Sequence, residues 1–256
     1  MRTKLSSQSR VYLPVLSTLG FLLIWALAAF LADSRTVPSP LAVASFIVSE
    51  ASSGPLFHHL GATLARVLAA FIIAMLIGSA IGIAMGRSRS ANQLLDPWLV
   101  LTINMPALVM IVLCYIWIGL TETAAITAVA LNKIPNVVVT LREGARSLDP
   151  KLMEMAQVFR FSRFRVAWNV VLPQLQPYLA AAGRSGLALI WKIVLVVEFL
   201  GRSNGVGFQI HLYFQLFNVT AILGYAFAFV IVMLVIEYAM VQPLENRLNI
   251  WRKRPA

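Results

Sequence analysis

Several kinds of chemistry are missing from this chain. It has a single cysteine, Cys114, so no intrachain disulfide can form. Its three histidines, His58, His59 and His211, form no HExxH pair for a catalytic zinc, and no nucleophile and base stand in a recognisable pattern. No glycine is followed directly by lysine, so the GxxxxGK[ST] cradle for nucleotide phosphates is absent. Acid is scarce: Asp and Glu number 10 against 21 Lys and Arg, a net charge of +11.

A basic excess can mean nucleic acid, but the rest of the composition argues against it. The chain is 59% hydrophobic and 12% charged, whereas a soluble domain is about 45–50% apolar and about 25% charged. A spanning helix needs about 20 mainly apolar residues. Six stretches qualify, roughly 11–32, 63–85, 98–119, 123–141, 178–200 and 219–241. The fold class expected is an all-α polytopic membrane protein with six transmembrane helices. The first stretch could also be a secretory signal with Ala26-Leu27-Ala28 as its cleavage site, but its length favours a span.

The basic residues divide by loop. With the N-terminus in the cytoplasm, that side collects Arg2, Lys4, Arg10, Arg87, Arg89, Arg142, Arg146, Lys151, Arg160, Arg163, Arg165, Arg247, Arg252, Lys253 and Arg254, against Arg35 and Arg202 opposite. Both termini are therefore expected inside. The organisation that follows is a cytoplasmic N-terminus (1–10), a transmembrane domain (11–241) with a cytoplasmic loop at 142–173, and a basic cytoplasmic tail (242–256). His58 and His59 then fall in an outer loop, as does His211, and read as solvated residues with no metal assigned.

Local signals refine this map. Val37-Pro38-Ser39-Pro40 forbids an uninterrupted helix, and Leu41 to Glu50 can form a short interfacial one. Gly78, Gly82 and Gly86 place three positions without side chains on one helix face, suited to close packing. Asp96-Pro97 reads as the start of the third span. Pro106 and Pro135 predict a kink or a lost hydrogen bond in the third and fourth spans. Such breaks survive at membrane depth only where protein or a watery path answers the freed backbone groups.

The stretch from Asp149 to Pro173 cannot cross a bilayer. Asp149 and Pro150 suit N-cap and N1, and Leu152, Met155, Ala156 and Phe159 recur at helical spacing. Ser162 can cap a second helix from about Arg163 to Leu172, with Pro173 marking a turn toward the fifth span. By themselves these residues admit two readings. One is an interfacial helix pair whose arginines meet anionic lipid. The other is a docking knob presenting Met153, Met155, Phe159 and Phe161 to a groove on a cytoplasmic partner.

The order Glu154-Met155-Ala156, Ser162, then Val170-Val171-Leu172-Pro173 resembles the EAA loop of ABC importer permeases. Similar neighbours run along the chain: the Val37–Pro40 turn, the glycine-spaced helix, Leu95-Asp96-Pro97, Asn104-Met105-Pro106, Trp117-Ile118-Gly119, Arg184 with Trp191 and Glu198, and Gly205-Val206-Gly207. Together they resemble the nitrate, sulfonate and taurine branch of that family. The resemblance implies a type I ABC importer permease fold in a bacterial inner membrane, with a coupling helix between the fourth and fifth spans. It implies a second permease copy or paralogue, a cytoplasmic ABC ATPase dimer holding ATP and Mg, and an extracytoplasmic solute-binding protein. This chain itself would hold no cofactor and perform no covalent chemistry. ATPase coupling is expected at Asp149, Met153, Glu154, Met155, Ala156, Phe159, Arg160, Phe161, Ser162, Leu172 and Pro173. A secondary transporter or channel acting without an ATPase is the alternative. Three positions depart from the family pattern: Arg160 replaces a glycine at the turn of the coupling helix, Ala125 a common lysine, and Val112 a second proline.

Four basic residues fall inside spans, where each costs roughly 2.5–3.5 kcal/mol at a helix centre. Arg66, near its helix end, is expected to snorkel to the interface. Arg184 matches the family and ties the fifth span to its neighbours. Lys133 and Lys192 stand where relatives carry uncharged residues. They either make the path attractive to a small anionic solute or pair structurally with Glu198 or Glu237. The residues expected along the path are Asn104, Pro106, Lys133, Arg184, Trp191, Lys192 and Glu198.

Overall fold

A computed structural model describes residues 9–32, 34 and 36–243. The cytoplasmic segments expected at 1–10 and 242–256, with Arg2, Lys4, Arg247, Arg252, Lys253 and Arg254, lie almost wholly outside the described residues, as does Arg35. The described residues contain helices and no strand: α1 (Ser9–Ala32), α2 (Pro40–Ser52), α3 (Leu56–Arg87), α4 (Arg89–Asn104), α5 (Ala107–Ile118), α6 (Glu122–Arg146), α7 (Pro150–Val158), α8 (Arg163–Val166), α9 (Leu172–Gly201), α10 (Val206–Gln215) and α11 (Val219–Ile236). Two π turns, Ala167–Val171 and Glu237–Val241, follow α8 and α11.

Four stretches are long and apolar enough to cross a membrane: Leu56–Arg87, Glu122–Arg146, Arg163–Gly201 and Val219–Ala239. They contain the second, fourth, fifth and sixth expected spans. The third is not one helix: α4 and α5 meet at 100° across Met105-Pro106, the geometry of a broken span or of a re-entrant pair. The first lies in α1, whose described apolar stretch, Leu16–Ala32, is shorter than a full span, so the described residues hold four spanning helices, or five with the bent pair, where six were expected.

Glycines set the central seam. A Cβ on Gly78 would meet Val137 at 2.7 Å, one on Gly82 the Val138 carbonyl oxygen at 2.7 Å, and one on Gly86 Ala145 at 2.5 Å. Both series ascend together, so α3 and α6 run parallel with their backbones in close approach. Helix α9 runs the other way beside them, Gly186 lying on Lys133 and Leu175 packing with Val137 and Leu141. The main core, including Val67, Val129, Ile190 and Tyr225, lies toward the Arg66 end of these helices.

Several expectations at the helix ends need correcting. Helix α4 begins at Arg89, capped by Ser88, with Pro97 inside it, while Asp96 is engaged by Arg142 at 2.5 Å. Helix α6 continues through the buried Pro135, and the break falls only at Met105-Pro106. Pro173 marks no turn, because the helix begun at Arg163 runs into the fifth span. Upstream of it, Leu172 N–H bonds to the Ala167 carbonyl across the π turn, a wider ring that locally re-registers the ladder where proline supplies no donor. His58 and His59 lie in α3, not in a loop.

Candidate functional site

Helix α7 is assembled from local signals. The Asp149 side chain accepts from Lys151 N–H at 2.8 Å and Pro150 occupies the first turn. At the other end Phe161 N–H reaches the Ala156 carbonyl at 2.9 Å and Arg160 N–H the Gln157 carbonyl at 2.9 Å, the pair of bonds that defines a Schellman turn. Such a turn needs a left-handed residue, and Arg160 supplies it with φ 50°. The turn expected from a glycine is thus formed by arginine, at a steric cost of roughly 1–2 kcal/mol. Ser162 then caps α8 by accepting from Arg165 N–H at 3.3 Å.

The same segment is tied to the spans. Asp149 N–H donates to Gln174 on α9 at 2.8 Å, and Ser147 Oγ lies 2.8 Å from the Tyr178 hydroxyl. Ala156 is buried and Met153 packs on the cluster of Leu141, Val171 and Leu175. The outward side keeps Met155, Val158 and Phe159 exposed, the last two at 79% and 68%. Beside them Phe164 and Trp168 stack with centroids 6.2 Å apart, both exposed, and Arg165 lies over the Phe161 ring. Glu154 is exposed and makes no contact with a charged or hydrogen-bonding group among the described residues. Leu172 is half-buried and Pro173 exposed at the start of α9. Of the residues expected to couple, Met153 and Ala156 face the protein body, and Met155 and Phe159 face away.

At the opposite end the chain encloses its charges. Arg66 is 4% exposed and does not snorkel: Nε and Nη2 donate to Glu122 at 2.8 and 2.7 Å, and Nη1 donates to Glu198 at 2.5 Å. Arg66 also donates to the Asn204 carbonyl at 3.0 Å and to its side chain. Glu198, fully buried, accepts further bonds from Thr63 Oγ1 and Gly207 N–H, each at 2.9 Å. Arg202 donates to Glu122 and to the Leu120 carbonyl, both at 2.6 Å. His59 is buried beside this cluster, accepting from Gly205 N–H at 3.0 Å and pairing with the Gln209 amide at 2.6 Å. Gly205, at φ 108°, sits where any Cβ would strike the Glu198 carboxylate. Sequence reasoning missed this cluster. A usable signal was present, because a buried arginine and a buried glutamate within apolar helices each demand a partner.

The path residues expected from sequence do not form one group. Trp191 packs edge-on to Phe229 in the core. Glu198 is held by Arg66, and Arg184 lies 3.7 Å from Glu237, so neither acid pairs with Lys133 or Lys192. Lys192 is exposed on α9, while Lys133 is buried between α6 and α9. Asn104 and Pro106 stand exposed at the broken span, with the Asn104 amide donating to the Val100 carbonyl at 2.7 Å. Among the described residues no cluster of His, Cys, Asp and Glu could hold a metal.

Comparison with known proteins agrees with this architecture. Residues 74–240 match the family described as "Binding-protein-dependent transport system inner membrane component". Over 199 residues, 77% of this chain and 74% of the relative, the sequence is 34% identical to the putative aliphatic sulfonates transport permease protein SsuC of Escherichia coli (strain K12). It is 28% identical over 196 residues to the taurine transport system permease protein TauC of the same organism, covering 77% of this chain and 71% of that protein. A chain of the inward-facing MetNI methionine ABC transporter shares the fold, with a TM-score of 0.66 at 17% identity over 78% of this chain and 99% of that one. The chain belongs to the inner membrane components of binding-protein-dependent transport systems, in the branch of the sulfonate and taurine permeases.

Proposed function

We propose that this permease subunit forms the translocation path of an ATP-driven importer for a small anionic solute, such as a sulfonate, taurine or nitrate. An extracytoplasmic binding protein delivers the solute, and ATP with Mg is bound by a separate cytoplasmic ATPase dimer. Two permeases, either copies of this chain or this chain with a paralogue, enclose the path. Both termini and α7 lie in the cytoplasm, and the Arg66 end lies outside.

The observation that carries this reading is the build of α7. Its buried side is bonded and packed to α9, and its free side presents the apolar Met155, Val158 and Phe159 among polar neighbours, so a partner seated on them moves the spans when it moves. Closure of the ATPase dimer on ATP would pass through this contact and turn the permeases outward. Among the described residues Glu154 has no partner, and it is available to a basic residue of the ATPase.

The test is co-purification from detergent of the chain with its nucleotide-binding subunit, with ATPase activity read for wild type and Glu154→Lys. Retained ATPase in the wild type and its loss in the variant are expected. A chain that purifies alone and moves solute in liposomes without ATP would make it a secondary transporter or channel.

A further inference from the structure

The chain has 10 carboxylates, and among the described residues their positions leave one buried cation, Lys133, unanswered. Glu122 and Glu198 hold Arg66 and Arg202, Glu237 meets Arg184, Asp96 takes Arg142, and Glu50 accepts from the Tyr225 hydroxyl at 2.7 Å. Glu143, Asp149 and Glu154 lie ten residues or more beyond Lys133 in sequence, and ten residues of helix rise about 15 Å. Asp33 and Glu245 fall outside the described residues.

Lys133 lies near the midpoint of α6 and is 1% exposed, yet among the described residues it makes no hydrogen bond or ion pair. Its side chain crosses Gly186 of α9, where a Cβ would come within 2.6 Å of Cε. The notch therefore exists because position 186 carries no side chain. A second donor is also unanswered: Ser79 Oγ on α3 is buried without a partner. Ser79 follows Gly78, which packs on Val137 and on the Ile134 carbonyl next to Lys133, so the hydroxyl lies on the same seam about one helical turn from the lysine. Ser79 is also in register with Met75 and Ile83, which pack in the cluster containing Ala182 of α9.

An ammonium at membrane depth needs a counter-charge or a polar partner. A second copy of this chain offers none, because its described carboxylates at that depth are engaged in the same way. An ammonium and a hydroxyl left without partners among the described residues on one seam can both donate to an anion. We infer that Lys133, with Ser79 near it on the same seam, is an anion-binding position within the permease, reached by the solute's sulfonate or similar group when α6 and α9 part at Gly186. This rests on the transport reading above and adds to it the group that recognises the charge.

The experiment uses the whole transporter, permease with its ATPase and binding protein, in liposomes. Uptake of radiolabelled ethanesulfonate, taurine and nitrate is measured for wild type, Lys133→Met, Lys133→Arg and Ser79→Ala, with the melting temperature of each complex. Lys133→Met should lower anion uptake by about tenfold or more without lowering the melting temperature, since an apolar side chain relieves an unpaired buried charge. Lys133→Arg should retain part of the uptake and Ser79→Ala should lose severalfold. Wild-type uptake in Lys133→Met would overturn the Lys133 inference and leave the importer reading intact. Uptake and melting temperature falling together in Lys133→Met would make the lysine a packing element and overturn the inference as well. A wild-type transporter that imports none of the three anions would overturn both.

Discussion

At the Arg66 end Arg66 and Glu198 are buried between helices, Glu122 and Arg202 complete the cluster at its rim, and the loop at Gly205 folds down onto it. At the α7 end the reverse holds: Val158, Phe159, Phe164 and Trp168 stand in the open, and Glu154 has no partner among the described residues. The first region is complete within one chain. The second is stable only as far as its buried side, and its free side makes sense against another protein. The contrast separates two uses of the same helices, one locking their relative positions and the other offering a handle.

The largest effect should follow from opening the closed end. Glu198→Ala leaves Arg66, Thr63 and Gly207 N–H without their acceptor, and should cost about 3–5 kcal/mol, as breaking a buried pair does. Reversible unfolding in mixed detergent reads it, and a loss below about 1 kcal/mol would mean that the cluster is not the lock described. Next is the seam that joins the two ends. Gly82→Val drives a branched side chain into the Val138 carbonyl, and should cost about 1–3 kcal/mol, with yield from membranes falling in step.

Smaller effects are expected at α7. Arg160→Gly removes the left-handed penalty and adds back chain entropy, a net gain of about 0.5–1 kcal/mol. Unchanged or lower stability would place a compensating contact on the arginine. Phe159→Asp should change stability by less than about 0.5 kcal/mol, yet abolish co-purification of the ATPase. If this variant still binds the ATPase while Phe164→Asp does not, the handle is centred on the Phe164–Trp168 stack instead.

Much of the local structure could be read from residues alone. Asp149-Pro150 and Ser162 act where capping chemistry puts them, and the Gly78, Gly82 and Gly86 face finds a close neighbour. Arg160 stands in the left-handed turn that its position predicts, even without glycine. The prolines show the limit of such reading. Pro106 and Pro135 both remove a donor from a helix, but the chain breaks only at the exposed Pro106, while Pro135 is buried in an unbroken α6. Loss of one hydrogen bond is a local fact, whereas the response depends on what packs around it.

Charge behaved in the same way. Composition and the loop bias of Lys and Arg suffice for a multi-pass membrane protein, because apolar length and surface charge are additive along a chain. Which acid meets which base is not additive. Arg66, Glu122, Glu198, Arg202 and Asn204 come together through bonds that span 56 to 138 residues. Only the packing of α3, α6 and α9 decided that Arg66 is locked, Trp191 is core, and Lys133 is left without a counter-charge, because pairing requires proximity in space and apolar periodicity carries no record of it.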